Sequence, residues 1–166
     1  MTANSQLQPS TSKKLALIIF SGDLDKLLAA FTIATGAAAS QMEVTMFFTF
    51  WGLRALKKKK RTGKSFFGRL FGLFYPGDIS RSSPSRLSFG GLGRWMFKRM
   101  MKAKKIPSLE AMRQMAIELG VKFYGCQMSM EVMEIPRESL IPQVEKCVGV
   151  AYFLEKARNS DVTLFI

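Results

Sequence analysis

A chain of 166 residues with 48% apolar content fits one globular domain around a single core, and its net charge of +13 comes from 25 Lys and Arg against 12 Asp and Glu. It contains no histidine, which excludes Ser-His-Asp and Cys-His nucleophile pairs, His-based zinc sites and His-ligated haem. Two cysteines, Cys126 and Cys147, are too few for a disulfide framework, and no uninterrupted apolar run reaches the roughly 18 residues of a membrane span.

The opening MTANSQLQPSTSKK is polar and has no apolar h-region. Residues 1–12 therefore read as a disordered tail and not a secretory signal, and a cytoplasmic single domain is expected over 13–166. KKLALIIF (Lys13–Phe20) has the length and β-branched content of a buried strand, SGD with Gly22 at its centre is a turn, and LDKLLAAFTIATGAAA is apolar at helical spacing. MEVTMFFTF (Met42–Phe50) is a second strand, its continuous apolar character suiting a parallel sheet covered on both faces. Beyond a basic segment, Ser108 caps the helix LEAMRQMAIEL, Glu110 sits in its first turn and Gly120 stops it. The strand VKFYG follows, then a turn at Cys126, a short helix ending near Pro136, a small strand around Cys147–Val148, the helix VAYFLEKARNS and a last strand DVTLFI. Alternating strands and helices with short connections predict an α/β fold, a three-layer α/β/α sandwich with a mainly parallel sheet of about five strands.

The charge is unevenly placed. Residues 54–105 hold 16 of the Lys and Arg and a single acid, Asp78, for +15, leaving −2 for the remainder. This stretch mixes the cationic run Lys57–Arg61 with aromatics, Gly and Ser, and reads as an inserted flap, mobile over about 57–93 because self-repulsion and glycine entropy oppose order. One reading is a solvated loop. A second sets Phe66, Phe67, Leu70, Phe71, Leu73, Phe74 and Tyr75, with Arg69, in a membrane interface. A nucleic-acid partner has no specific signal and is not favoured. The favoured reading packs Trp95, Met96, Phe97, Met100 and Met101 over the thiol site or against another subunit, making a homo-oligomer.

Cys126 stands where a strand ends and a helical pattern begins. In parallel α/β sheets ligands bind beyond the carboxyl ends of strands, and a helix N-terminus favours an anion there. Partial exposure of Cys126 at that edge is the expectation. Gly125 permits a close approach, Gln127 and Ser129 offer neutral hydrogen bonds, Arg54 offers a cation to an anionic donor, and Trp51 forms a wall. A buried cysteine that only packs remains the alternative at this point. Neither FSGD nor RTGKS meets the pattern of a nucleotide-binding loop.

The string GVKFYGCQMSMEVMEI, with LALIIFSGDLDKLLAAFTIATGAAA, TMFFTFWGLRAL and GVAYFLEKARNSDVTLFI, closely resembles the DsrE/DsrF/DsrH-like sulfur-carrier family, in particular a DsrE-like branch with a long basic insertion. The resemblance implies a cytosolic protein that takes up sulfane sulfur as a persulfide on Cys126 and passes it on, with sulfur donors and acceptors as partners and no cofactor or metal. Cys147 acquires no role from it and reads as structural. Two other classes stand beside this one: a thiol peroxidase in which Cys147 resolves Cys126, and a non-catalytic membrane- or partner-binding adaptor.

Overall fold

A computed structural model describes residues 12–58, 78–86 and 91–166. Five strands, β1 Lys14–Ile19, β2 Glu43–Phe48, β3 Lys122–Cys126, β4 Val144–Val148 and β5 Val162–Phe165, form one sheet in the order β4-β3-β2-β1-β5. Every pairing is parallel, β1 meeting β2 from Lys14↔Glu43 to Ile19↔Phe48. The helices are α1 Leu24–Ala39, α2 Leu92–Ala103, α3 Leu109–Glu118, α4 Gln127–Val132 and α5 Val150–Arg158.

Strand order dictates the layers. From β1 to β4 the chain steps across the sheet in one direction, so right-handed crossovers put α1 and α3 on one face. The step from β4 to β5 runs the other way and puts α5 on the opposite face. The first face carries the larger core, in which Phe48 packs edge-on against Phe123 at 5.5 Å and Phe31 lies beside both. The second face carries a smaller cluster of Ala16, Phe47, Tyr124, Cys126 and Phe153, with Phe47 and Phe153 stacked at 4.9 Å. The expected three-layer sandwich is the observed architecture.

The ends of α3 follow from its sequence. The Ser108 hydroxyl accepts the Ala111 N–H at 3.2 Å, and Gly120 turns the chain with φ of 78°.

The described parts of the insertion are packed and bonded, while the rest of the flap expected over about 57–93 lies outside the described residues. Leu92–Ala103 is helical, and Ile79 and Met101 are buried in the larger core. Burying such side chains is worth about 1.5–3 kcal/mol each, enough to oppose the charge repulsion. The arm before α2 is tied down as well: Leu24 donates its N–H to the Ser83 carbonyl, and Ser85 donates its N–H and hydroxyl to the Asp25 carboxylate at 3.0 and 2.7 Å. Lys98 and Arg94 of α2 donate to the Ser80 and Arg81 carbonyls. This part of the insertion thus docks on α1 and α3, across the sheet from the Cys126 cluster, and does not close over that thiol as expected. Leu92, Trp95, Met96 and Met100 remain exposed on α2. The Phe66–Tyr75 aromatics, Lys59 and Lys60 lie outside the described residues.

Lys57 is also unlike the solvated charge expected from its run. It pairs as an antiparallel bridge with Leu140, flanked by the bonds Ile141 N–H to Leu56 C=O and Lys58 N–H to Ser139 C=O, and this backbone pairing carries it to 2% exposure. Burial, then the neighbouring Arg54, push its ammonium pKa down.

One backbone contact fixes the site end of the sheet. The 3₁₀ helix Phe50–Leu56 leaves β2 and at once meets β1, Gly52 donating its N–H to the Phe20 carbonyl at 2.8 Å. A Cβ on Gly52 would lie 2.1 Å from the Ile19 carbonyl oxygen. Gly52→Ala is therefore expected to cost about 3 kcal/mol or more, read as a lowered urea midpoint at unchanged slope. An unchanged midpoint would contradict the contact.

Candidate thiol site

Because β1, β2 and β3 are parallel neighbours, their carboxyl ends bring three loops to one edge of the sheet. Ser21 and Gly22, both buried, leave β1; Trp51 and Arg54 stand on the 3₁₀ helix after β2; Gly125 to Ser129 leave β3. That 3₁₀ helix packs against both β3 and α4. The topology so gathers the loops carrying all seven of the residues singled out in the sequence.

Within that edge the residues differ in placement. Cys126 is the last residue of β3 and the N-cap of α4, so the strand gives way to helix with no intervening loop. Its side chain belongs to the smaller cluster, with Phe47, Tyr124 and Phe153 around it and Ile18 and Val148 at the margin. It is 4% exposed, a correction to the partial exposure expected, because α5 and the Phe47–Phe153 stack cover this face. Two residues earlier on the same strand, Tyr124 donates its hydroxyl to Glu145 at 2.8 Å. Burial, then the Tyr152 and Glu145 partners, raise its pKa far above the ordinary phenol range.

Gly125 faces the other side. A Cβ there would meet Met130 Sδ at 3.2 Å, Cys147 Sγ at 3.6 Å and Leu140 Cδ1 at 3.7 Å, so the space above this glycine is filled by the protein's own side chains. Ser129 is fully buried and its hydroxyl is 2.7 Å from that of Thr49, a bond that ties α4 to the end of β2. Gln127 is exposed and its amide donates along the helix to Glu131 at 3.0 Å. Trp51 is 40% exposed at the mouth of the edge, and Arg54 is half-buried behind it. A cavity of about 300 Å³ opens beside α4, lined by Gln127, Met130, Glu131, Glu134, Ile135 and Pro136; Cys126 is not among its lining residues.

Thr49, Gly52 and the Phe47–Phe153 stack escaped the sequence reading. Thr49 had left one trace, a polar residue directly after the apolar run Met46–Phe48.

The two thiols do not share a face. Strand register sets Gly125 opposite Cys147 and Cys126 opposite Val148, so the Cys147 sulfur lies with Gly125 and the larger core while Cys126 lies in the smaller cluster. Among the described residues no cluster of His, Cys, Asp and Glu is arranged to hold a metal.

Comparison with known proteins bears on this edge. The model of the DsrE/DsrF/DrsH-like family matches residues 11–165. The chain belongs to that family. It is 38% identical over 157 residues to YrkE of Bacillus subtilis strain 168, spanning 93% of this chain and 98% of that protein. It is 36% identical over 158 residues to the sulfur carrier protein DsrE2 of Allochromatium vinosum, spanning 93% and 98%. In fold it is similar to the ychN protein of E. coli, with a TM-score of 0.55 at 9% identity over 93% of this chain and 99% of that one. It also resembles MTH1491 of Methanobacterium thermoautotrophicum, a protein of unknown function, with a TM-score of 0.51 at 11% identity over 92% and 99%. The five-stranded sheet of this family member is thus shared with proteins of far-diverged sequence.

Cys147 carries a pKa raised by burial, which the charge of Arg137 only partly offsets. Its neutral thiol is favoured in the folded state, so iodoacetamide should alkylate Cys147 more slowly than a free cysteine at neutral pH, and denaturation should remove the lag. Equal rates in the folded and unfolded chain would contradict this placement.

Proposed function

We propose that the chain carries sulfane sulfur as a persulfide on Cys126 and relays it to an acceptor thiol. The observation that carries the reading is a thiol at the carboxyl end of a central parallel strand, in a chain 36% identical over 93% of its length to a protein named as a sulfur carrier.

The chemistry is thiol exchange. The Cys126 thiolate attacks the outer sulfur of a donor persulfide, an S–S bond forms as the donor's S–S bond breaks, and the donor leaves as a thiolate. With thiosulfate as donor the leaving group is sulfite instead. The same exchange in the other direction hands the outer sulfur to the acceptor, and no oxidant or reductant is consumed. Cys126 caps α4 without a side-chain bond to it, so the first N–H groups of α4, which have no intrahelical partner, adjoin the strand end and become donors to an anionic sulfur only when the edge opens. Apolar neighbours exclude water from the S–S bond. Gly22, Trp51, Arg54 and Gln127 are assigned to donor contact, with Arg54 meeting anionic donors; Gly125 and Ser129 position the strand end and α4. Burial of the sulfur means that exchange needs the edge to open, and exposed Gln127 and Met128 are the adjoining residues that can yield. Placement on opposite faces of the sheet argues against the peroxidase alternative, since Cys147 cannot resolve Cys126 without breaking the β3–β4 pairing.

The assignment includes a cytoplasmic location and two surface contacts. Phe20 and Phe165, stacked at 5.9 Å, and Val150 and Leu154 of α5 are exposed on the Cys126 side of the sheet, which supports a homo-oligomer. The α2 stripe flanked by Arg94, Lys98, Arg99 and Lys102 supports peripheral contact with an anionic membrane. Sedimentation as a monomer at micromolar concentration would count against the first, and failure to float with anionic vesicles against the second.

Cyanide tests the central proposal, because it releases thiocyanate from a persulfide but not from an oxidised thiol. After exposure to thiosulfate or a small persulfide, the wild type and Cys147→Ser should each release thiocyanate, and Cys126→Ser should release none. Release from Cys126→Ser equal to wild type would sink the assignment, as would release from no variant alongside peroxide consumption.

A further inference from the structure

We infer that the cavity between the insertion and helices α1 and α3 binds a short alkyl chain with a single anionic head. It encloses about 250 Å³, just below the usual range for small-molecule sites, and lies apart from Cys126. Its walls come from four segments: Leu24 opens α1, Ile79 stands on the arm before α2, Met101 is on α2 and Leu109 opens α3. Those four side chains are 1%, 1%, 6% and 4% exposed, so the floor is apolar and closed. Ile106, 42% exposed, forms the outer wall.

The rim is different in kind. Lys98 and Lys102, one helical turn apart on α2, both line the cavity and both are exposed, while Glu110 supplies the carboxylate. Two cations against one anion leave the rim at net +1, matching a monoanionic head and not a nucleotide or a polyphosphate. Lys98 uses one donor on the Ser80 carbonyl at 2.6 Å, which holds the ammonium at the mouth with two protons to spare. No aromatic side chain lines the cavity, so nothing there is arranged to stack on a base or sugar.

An alkyl tail fits the floor for the ordinary hydrophobic reason, each methylene adding about fourfold in affinity when fully buried. The head remains at the rim, where the lysines meet it. Since the floor joins Ile79 and Met101 of the insertion to Leu24 and Leu109 of the body, an occupant fastens one to the other and stabilises the folded chain by mass action.

Calorimetric titration of the full chain with octanoate, butanoate and octanol tests this. Octanoate should saturate a single site about tenfold or more tighter than butanoate, and tighter than octanol. Ile106→Trp fills the cavity from an exposed position and should weaken octanoate binding about tenfold or more without lowering the thermal midpoint. The Lys98→Met, Lys102→Met double variant should bring octanoate down to the affinity of octanol. Independently of any variant, octanoate protons should show NOEs to the Met101 and Ile106 methyl groups. Absence of saturable binding, equal affinity for octanoate and butanoate, no preference over octanol, an unaffected Ile106→Trp or double variant, or NOEs to other methyl groups only would each overturn the proposal.

Discussion

Between the ends of β1 and β2 the backbone of Gly52 lies so close to the Ile19 carbonyl that only a missing Cβ leaves room. The contact brings the 3₁₀ helix Phe50–Leu56 hard against the sheet, and with it Trp51 and Arg54. From the same corner, Thr49 reaches the Ser129 hydroxyl and sets α4 directly on the end of β3. Cys126 is the hinge of that arrangement, at once strand residue and helix cap. The site therefore depends on main-chain approach and one buried hydroxyl pair, and not on an acid–base dyad, which a chain without histidine would have to assemble from other groups.

Charge and packing divide the molecule differently. The sequence places +15 on residues 54–105, yet the described parts of that segment bury Ile79, Met101 and even Lys57. Desolvating one ammonium is tolerated because the backbone around Lys57 is held by pairing with Ser139–Ile141, and because its pKa falls. Asp25 helps for a second reason. In the first turn of α1 it accepts two bonds from Ser85, so a single carboxylate anchors the arm of a strongly basic insertion. Ile79 and Met101 of the basic segment thereby join the larger core beside α1 and α3, on the side of the sheet away from the thiol.

The regular elements were legible because their signals are local. Leu24–Ala39 has helical spacing behind a turn, Ser108 is followed three residues on by the N–H it caps, and β1 to β3 are uninterrupted apolar runs. β4 was read too short since Glu145 and Lys146 are exposed at its middle and mask the strand. α2 was missed as a helix because arginine and lysine break up its apolar stripe and the surrounding composition reads as loop. The side of the sheet to which Cys126 turns, and how deeply it is covered, follow from register with β4 and from α5 crossing behind, relations that no short window contains. The Thr49–Ser129 pair, 80 residues apart, is of the same kind.

That a thiol so well covered is the sulfur-bearing atom is the claim on which the account stands. Tandem mass spectrometry of peptides from sulfur-loaded, alkylation-trapped protein measures it most directly, with accurate mass telling one added sulfur from two added oxygens. The account predicts the extra sulfur on the peptide containing Cys126 and an unmodified sulfur at Cys147. Added sulfur on Cys147 alone, or a disulfide joining the two cysteines in the folded chain, would contradict it.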